Sequence, residues 1–396
     1  VIAQRVDALQ GTCRAAYAAR TSADMQQDAI ARVLLVTPAF SSSETPLELT
    51  ALLAPLSNAT EQAHISLRVL ATPQDERPSV ASPLFALWRD RATSMPLRAS
   101  ANDMMLTWCT AQPFDEIVVP PEATWVVCTG DAVLDRVPDW LAAPLRERPY
   151  EIWVPHRAAY LAVRSLGVPA ERVFQIPAMS VLGAQQVRAM CSTAGVELYP
   201  RRRVLLPVST SDDVAAAELT VRLWPRVSGA AADLAIRIDQ DASDVVHEWG
   251  ATMGQRTRTL RGLESVSVLN AGFGRANIPS LLRRADVLLT PRVAPLTQTW
   301  WRVARDLGCA LIAPDHPMLA DFPDAGVWRV TPGANGALSG ATLAMALTAA
   351  CTTDALVEHR AAMRNSGAHL NTPGDVAALL VSRLVAFASA RGGVSP

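Results

Sequence analysis

Along most of this chain, short apolar runs alternate with stretches whose apolar positions recur at helical spacing. The clearest example extends from Ser265 to Asp315. Val266, Val268 and Leu269 predict a strand that ends at Gly272 and Gly274. A helix follows, with Ile278, Leu281 and Leu282 on its apolar face and Arg283 and Arg284 turned outward. Asp286 opens a second strand, Val287 to Leu289, closed by Thr290 and Pro291. A polar loop, a helix from Trp300 to Leu307, a stop at Gly308 and a strand from Ala310 to Ala313 complete the unit. Strands and helices alternating at this spacing predict parallel β/α units. Ligands of such sheets sit beyond the carboxyl ends of the strands, which directs attention to the loop from Pro291 to Thr299.

The same rhythm extends through the rest of the chain. Residues 1–31 are Ala-rich and predict a helical extension. RVLLVTPAF is a buried-strand run, followed by a helix with Leu49, Leu52, Leu53 and Leu56 on one face and a strand from Ile65 to Leu70. Residues 72–112 are Pro-rich at first and then predict one or two helices ending near Trp108. Short strands are expected at Ile117–Val119, Trp125–Cys128, Ile152–Val154 and Val173–Ile176, with helices after Pro138 and at Ala158–Leu166, the latter stopped by Gly167. The triple Arg201-Arg202-Arg203 leads into VLLPV, which restarts the β/α rhythm, so the boundary between two domains falls near residues 178–203. The expected division is a first Rossmann-like domain over 32–178 and a second over 179–371. A final helix over 372–396, capped by Thr372 with Pro373 in its first turn, is expected to pack back on the first domain.

Composition narrows the functional classes. Half the residues are hydrophobic and 18% are charged, which describes a globular chain rather than a disordered one. A net charge of −1 gives no basis for nucleic-acid binding. All 36 basic residues are Arg, so any phosphate contact must come from Arg, backbone N–H groups or helix ends. The six cysteines are scattered without a CxxC pair, which disfavours a zinc or disulfide scaffold and suits a cytoplasmic or other reducing compartment. The sequence starts at Val1, so an upstream targeting segment is possible. The most apolar run, near Leu338 to Cys351, falls short of the ~20 residues a membrane span needs, and no transmembrane segment is expected.

Three segments carry a family resemblance. PDWLAAPLRERPYEIWVPHRAAYLAVRSLGVPAERVFQIPAM, then RRRVLLPVST with its following helix and DLAIRI, then IPSLLRRADVLLTPR with ARDLGCALIAPD, resemble the GT-B glycosyltransferases of the retaining family-four kind. Together they span roughly Pro138–Asp315. The resemblance implies an α/β fold of two Rossmann-like domains with a cleft between them. A nucleotide diphosphate sugar would sit on the second domain and an acceptor on the first. It implies no metal and no further cofactor, because helix N-termini and cationic side chains neutralise the diphosphate.

The chain departs from the family where its chemistry lies. The family's paired glutamates correspond to Pro295 and Val303, and no acidic residue occurs between Asp286 and Asp306. The basic pair for the diphosphate has no Lys available. PAFSSSETP replaces the glycine-rich loop of the first domain, and VVCTGD lacks the histidine expected there. The candidates for nucleotide-sugar contact are Ser209, Thr210, Gly272, Gly274, Arg292, Thr297 and Arg302. On the acceptor side they are Thr129, Asp131 and His156. Each also has an ordinary structural role open to it: a helix cap for Ser209, Thr210 and Asp131, a turn for the glycines, a solvated loop for His156. DQD at Asp239–Asp241 has the spacing of a metal-binding carboxylate pair but arises easily by chance. Trp300 and Trp301 fit the core face of a helix, with sugar stacking as the alternative. Two functions follow: sugar transfer from a nucleotide diphosphate sugar, or an inactive relative serving as a binding or scaffolding subunit of a larger assembly.

Overall fold

In the computed structural model of the protein, residues 31–36, 47–70, 92–93, 103–109, 123–147, 149–182, 201–227, 232–240, 242–273, 277–332, 338–352 and 354–392 are described. The expected extension over 1–31, but for its last residue, and the expected strand Ile117–Val119 lie outside them. The first sheet contains β1 (Ala31–Val36), β2 (Ile65–Leu70), β3 (Ala92–Thr93), β4 (Asp103–Trp108), β5 (Thr124–Cys128), β6 (Glu151–Val154) and β7 (Val173–Gln175). Its order is β3-β2-β1-β4-β5-β6-β7, and its pairings are parallel. The second contains β8 (Arg202–Val208), β9 (Ala232–Asp239), β10 (Val266–Phe273), β11 (Val287–Leu289), β12 (Ala310–Pro314) and β13 (Val327–Val330). Its order is β10-β9-β8-β11-β12-β13, again parallel. Both orders reverse direction once, between β1 and β4 and between β8 and β11, which is the doubly wound pattern.

The central strands are apolar on both faces because helices cover both faces. α1 (Leu47–Gln62) buries the predicted Leu49, Leu52, Leu53 and Leu56 on the first sheet. α2 (Asp139–Glu147) and α3 (Arg157–Ser165) cover the β5–β6 region. In the second sheet, α4 (Ser211–Val227), α5 (Asp244–Thr259), α6 (Ile278–Leu282) and α7 (Pro295–Leu307) connect successive strands. Gly308 ends α7 in the left-handed region, φ 70°, with its N–H on the carbonyls of the last turn.

One expectation is corrected. Residues near Trp108 form a strand, β4, and not a helix. All six residues of DMMLTW are buried between β1 and β5, a position that rewards a continuous apolar run. The single charge, Asp103, is neutralised by Arg32 on β1, with Nε at 2.7 Å from Oδ1.

α8 (Gly340–Thr352) and α9 (Ala355–Ala368) close the second domain, and α10 (Pro373–Gly392) then returns to the first. Its inner face, with Val376, Leu380 and Leu384, joins the core containing α1 and β1. Thr372 and Asp375 cap it reciprocally: Thr372 Oγ1 accepts from Asp375 N–H at 3.1 Å, and Asp375 Oδ2 accepts from Thr372 N–H at 3.1 Å. Arg383 pins it further, donating to the buried Glu151 and lying 4.1 Å over the Phe174 ring. Among the described residues this is the one single helix long and apolar enough to cross a membrane, over Pro373–Ala390. Its packing on α1 accounts for that apolarity.

Candidate functional site

The first sheet delivers Trp108 at the end of β4, Thr129 after β5, and Pro155 and His156 after β6 to one edge of the domain. The second sheet delivers the first turns of α7 and the turn after β12, residues Pro317–Asp321, to the facing edge. The chain crosses between them at Ser180: Met179 belongs to the first core and Val181 to the second. Asn371, on the return crossing, pairs with this segment by accepting from Ser180 N–H at 3.1 Å and donating to the Ala178 carbonyl from Nδ2 at 2.9 Å.

The two edges touch. Arg302 donates to the Pro155 carbonyl at 3.3 Å, Asp321 Oδ2 accepts from Arg157 N–H at 3.3 Å, and His316 Nε2 lies 3.1 Å from Asp135 Oδ2. Between them lies a crevice walled by Leu52, Ile176, Met179, Met318 and Phe322, with Trp108, His156, Gln298, Arg302, Arg305 and Asp321 as its polar members. Its free space of about 40 Å³ holds roughly three waters, too little for a whole nucleotide sugar until the domains part.

Buried polar atoms without a hydrogen-bond partner concentrate here. Trp108 Nε1, His156 Nε2, both ends of the Gln298 amide and Arg305 Nε line the crevice unpaired; Thr129 Oγ1 and Thr299 Oγ1 are unpaired close by in sequence. A buried polar atom left unpaired costs about 1–3 kcal/mol, so such a cluster marks a place where water or a ligand completes the bonding.

His156 is not solvated: it caps α3, its Nδ1 accepting from Ala159 N–H at 3.0 Å. Burial, with help from Arg302 and His316, lowers its pKa to about 3. The ring is therefore neutral near pH 7, and with Nδ1 accepting, the proton sits on Nε2. Burial also lowers Arg305 to about 10, with the Asp306 and Asp321 charges opposing and Arg302 adding to the fall. Arg305 keeps its charge and lies 4.9 Å over the Phe322 ring.

Of the predicted residues, the structure brings His156 and Arg302 together in this crevice. Thr129 and Asp131 lie beside it on the short turn after β5, both buried. Ser209 and Thr210 end β8 at the switch point of the second sheet, and their backbone N–H groups are taken by Asp213 Oδ2 at 3.0 and 2.9 Å. Arg292 is ion-paired to Asp212 in the first turn of α4. The carboxylates of Asp212 and Asp213 thus occupy a place where helix dipole and N–H groups would otherwise meet an anion. Thr297 is a local brace for α7, accepting from Ala294 N–H at 3.0 Å and donating to the Arg292 carbonyl at 3.2 Å. Gly272 lies in β10; Gly274 and Asp241 fall outside the described residues. Trp300 and Trp301 are fully buried core residues, Trp301 donating to Thr290 Oγ1 at 2.9 Å.

Sequence reasoning missed Trp108, Gln298, Arg305 and Asp306. The available signal was Arg305-Asp306, a charged pair between Ala304 and Leu307 on a helix face otherwise made for the core. Asp306 Oδ2 accepts from Ser180 Oγ at 2.9 Å, Val181 N–H at 2.8 Å and Leu182 N–H at 3.1 Å, and so ties the crossing segment to α7.

No protein-family model matches the chain, and no curated protein matches its sequence. Solved structures do match over most of its length. A glycosyltransferase from Rickettsia africae superposes with TM-score 0.57 at 9% identity, covering 92% of this chain and 99% of its own. The Anabaena protein HepE, solved with UDP and glucose, gives 0.57 at 12% identity, with 90% and 100% covered. An α,α-trehalose-phosphate synthase (UDP-forming) from Burkholderia vietnamiensis gives 0.55 at 13%, with 90% and 99% covered. At these identities the likeness is one of fold, and it agrees with the two doubly wound sheets and the crevice between them. The chain has the fold of the GT-B glycosyltransferases.

Proposed function

We propose that this protein transfers a sugar from a nucleotide diphosphate sugar to an acceptor bound in the inter-domain crevice. The observation that carries the reading is the cluster of unpaired buried polar atoms at the carboxyl ends of the strands, from Trp108, His156, Gln298 and Arg305. In this reading the donor lies on the second domain beside Ser209, Thr210 and Arg292, and the acceptor meets His156 and the turn around Thr129. Arg292 and Arg302 supply positive charge to the leaving diphosphate, with retention of configuration and no metal, as the sequence resemblance implies. Arg292 must leave Asp212 to do so. The buried thiols of Cys109, Cys128, Cys309 and Cys351 suit a reducing compartment.

A second reading has its own observation. Asp212 and Asp213 satisfy the groups that would meet the diphosphate, and α7 opens with no acidic side chain. These favour an inactive relative that binds ligand or partner subunits without turnover. Calorimetry with UDP and GDP separates the two: no heat from either at millimolar concentration rejects the transferase, whereas binding, followed by release of UDP or GDP from its sugar conjugate, supports it.

A further inference from the structure

We propose that the crevice contains an oxyanion subsite, formed by Trp108, His156, Gln298 and Arg305, that takes the phosphoryl group of a phosphorylated acceptor. This rests on the crevice being the ligand site. The inventory of hydrogen-bonding atoms carries it. Trp108 Nε1 is a donor only, and so is Arg305 Nε. His156 Nε2 is a donor because its Nδ1 already accepts from Ala159 N–H. All three nitrogens are buried and unpaired, and the Gln298 amide adds further donors. The vacancy is therefore short of acceptors. A sugar hydroxyl brings a donor with every acceptor, whereas an ionised phosphoryl group brings three acceptor oxygens.

Charge agrees with the inventory. Arg302 and Arg305 stand on the same face of α7, and each basic group of the crevice with a lowered pKa, His156 and Arg305, is lowered in part by Arg302. The nearby carboxylates face other groups: Asp321 accepts from Arg157 N–H, and Asp306 Oδ2 serves the crossing segment. Trp108 and His156 belong to the first domain, which assigns the phosphoryl group to the acceptor rather than to the donor. Free space of about 40 Å³ accommodates such a group while the remainder of the acceptor extends towards the open side.

The test is calorimetry on the full chain with inorganic phosphate, a hexose phosphate, the same hexose unphosphorylated, and UDP. The variants are Trp108→Phe, which removes only the N–H, and His156→Asn, which keeps a helix-capping oxygen and removes the Nε2 donor. The hexose phosphate is expected to bind at least tenfold more tightly than the hexose. Each variant is expected to weaken it about tenfold, the scale of one hydrogen bond to a charged group, with UDP affinity and thermal midpoint unchanged. UDP binding with equal, or no, affinity for hexose and hexose phosphate overturns the subsite and leaves the transferase reading intact. Competition between UDP and inorganic phosphate, lost in both variants, assigns the oxyanion to the donor and overturns the acceptor assignment. Failure of all four ligands rejects both.

Discussion

Replacing Asp306 by Asn removes a buried negative charge from the junction of the two domains. In the native chain its Oδ2 accepts three hydrogen bonds from residues 180–182, yet burial outweighs them and Arg305, and its pKa rises to about 6. An unfolded aspartate titrates near ~3.9, so the difference of about two units corresponds to about 3 kcal/mol. The sign follows from proton binding. The folded chain holds this proton more tightly than the unfolded chain, so the contribution is fully present below about pH 4. It is lost as the pH rises through about 6. Asn offers the same acceptor oxygen without the titration. Urea denaturation of both proteins at steps from pH 4 to 7.5 should therefore show the wild type losing about 3 kcal/mol relative to Asp306→Asn across that range. Parallel pH profiles for the two proteins would refute the assignment.

Three other substitutions test the framework. Arg383→Met strands the buried Glu151 and should cost about 3–5 kcal/mol, read as a lower urea midpoint and as earlier proteolysis of α10. Gly130 has φ +46°, and a β-carbon there would press on the Cys109 carbonyl and the Trp108 indole, so Gly130→Ala should destabilise by about 2 kcal/mol or more in thermal unfolding. Asp213→Ala frees the N–H groups of Ser209 and Thr210, and should cost about 1 kcal/mol as a lost cap while strengthening UDP binding measured by calorimetry. An unchanged or weaker UDP affinity would place the diphosphate elsewhere.

The two-domain frame was legible because it rests on local pattern. The punctuation at Gly167, Gly308 and Thr372 fixed helix ends, and the continuous runs around Val204, Leu288 and Leu311 marked strands buried on both faces. β4 was harder to read, since Met104, Met105 and Leu106 suit helix and strand alike until β1 and β5 enclose them. The crevice was less legible still. His156 was selected for its place after a strand, but its burial and fixed proton depend on Ala159 and on α7 across the interface. Trp108 and Gln298 carry no local signal, because their role comes from bonds they do not make within the chain. Ser209, Thr210 and Arg292 were placed at the correct strand ends, while their pairing with Asp212 and Asp213 follows from how α4 begins.

Hydrogen exchange measured by mass spectrometry, with and without millimolar UDP, tests the crevice as the ligand site most directly. If it is, UDP slows exchange at residues 154–160 of the first domain and at residues 290–305 of the second, and Arg302→Met abolishes the effect. Exchange unchanged in both segments, or slowed only at surfaces remote from the crevice, would contradict the account.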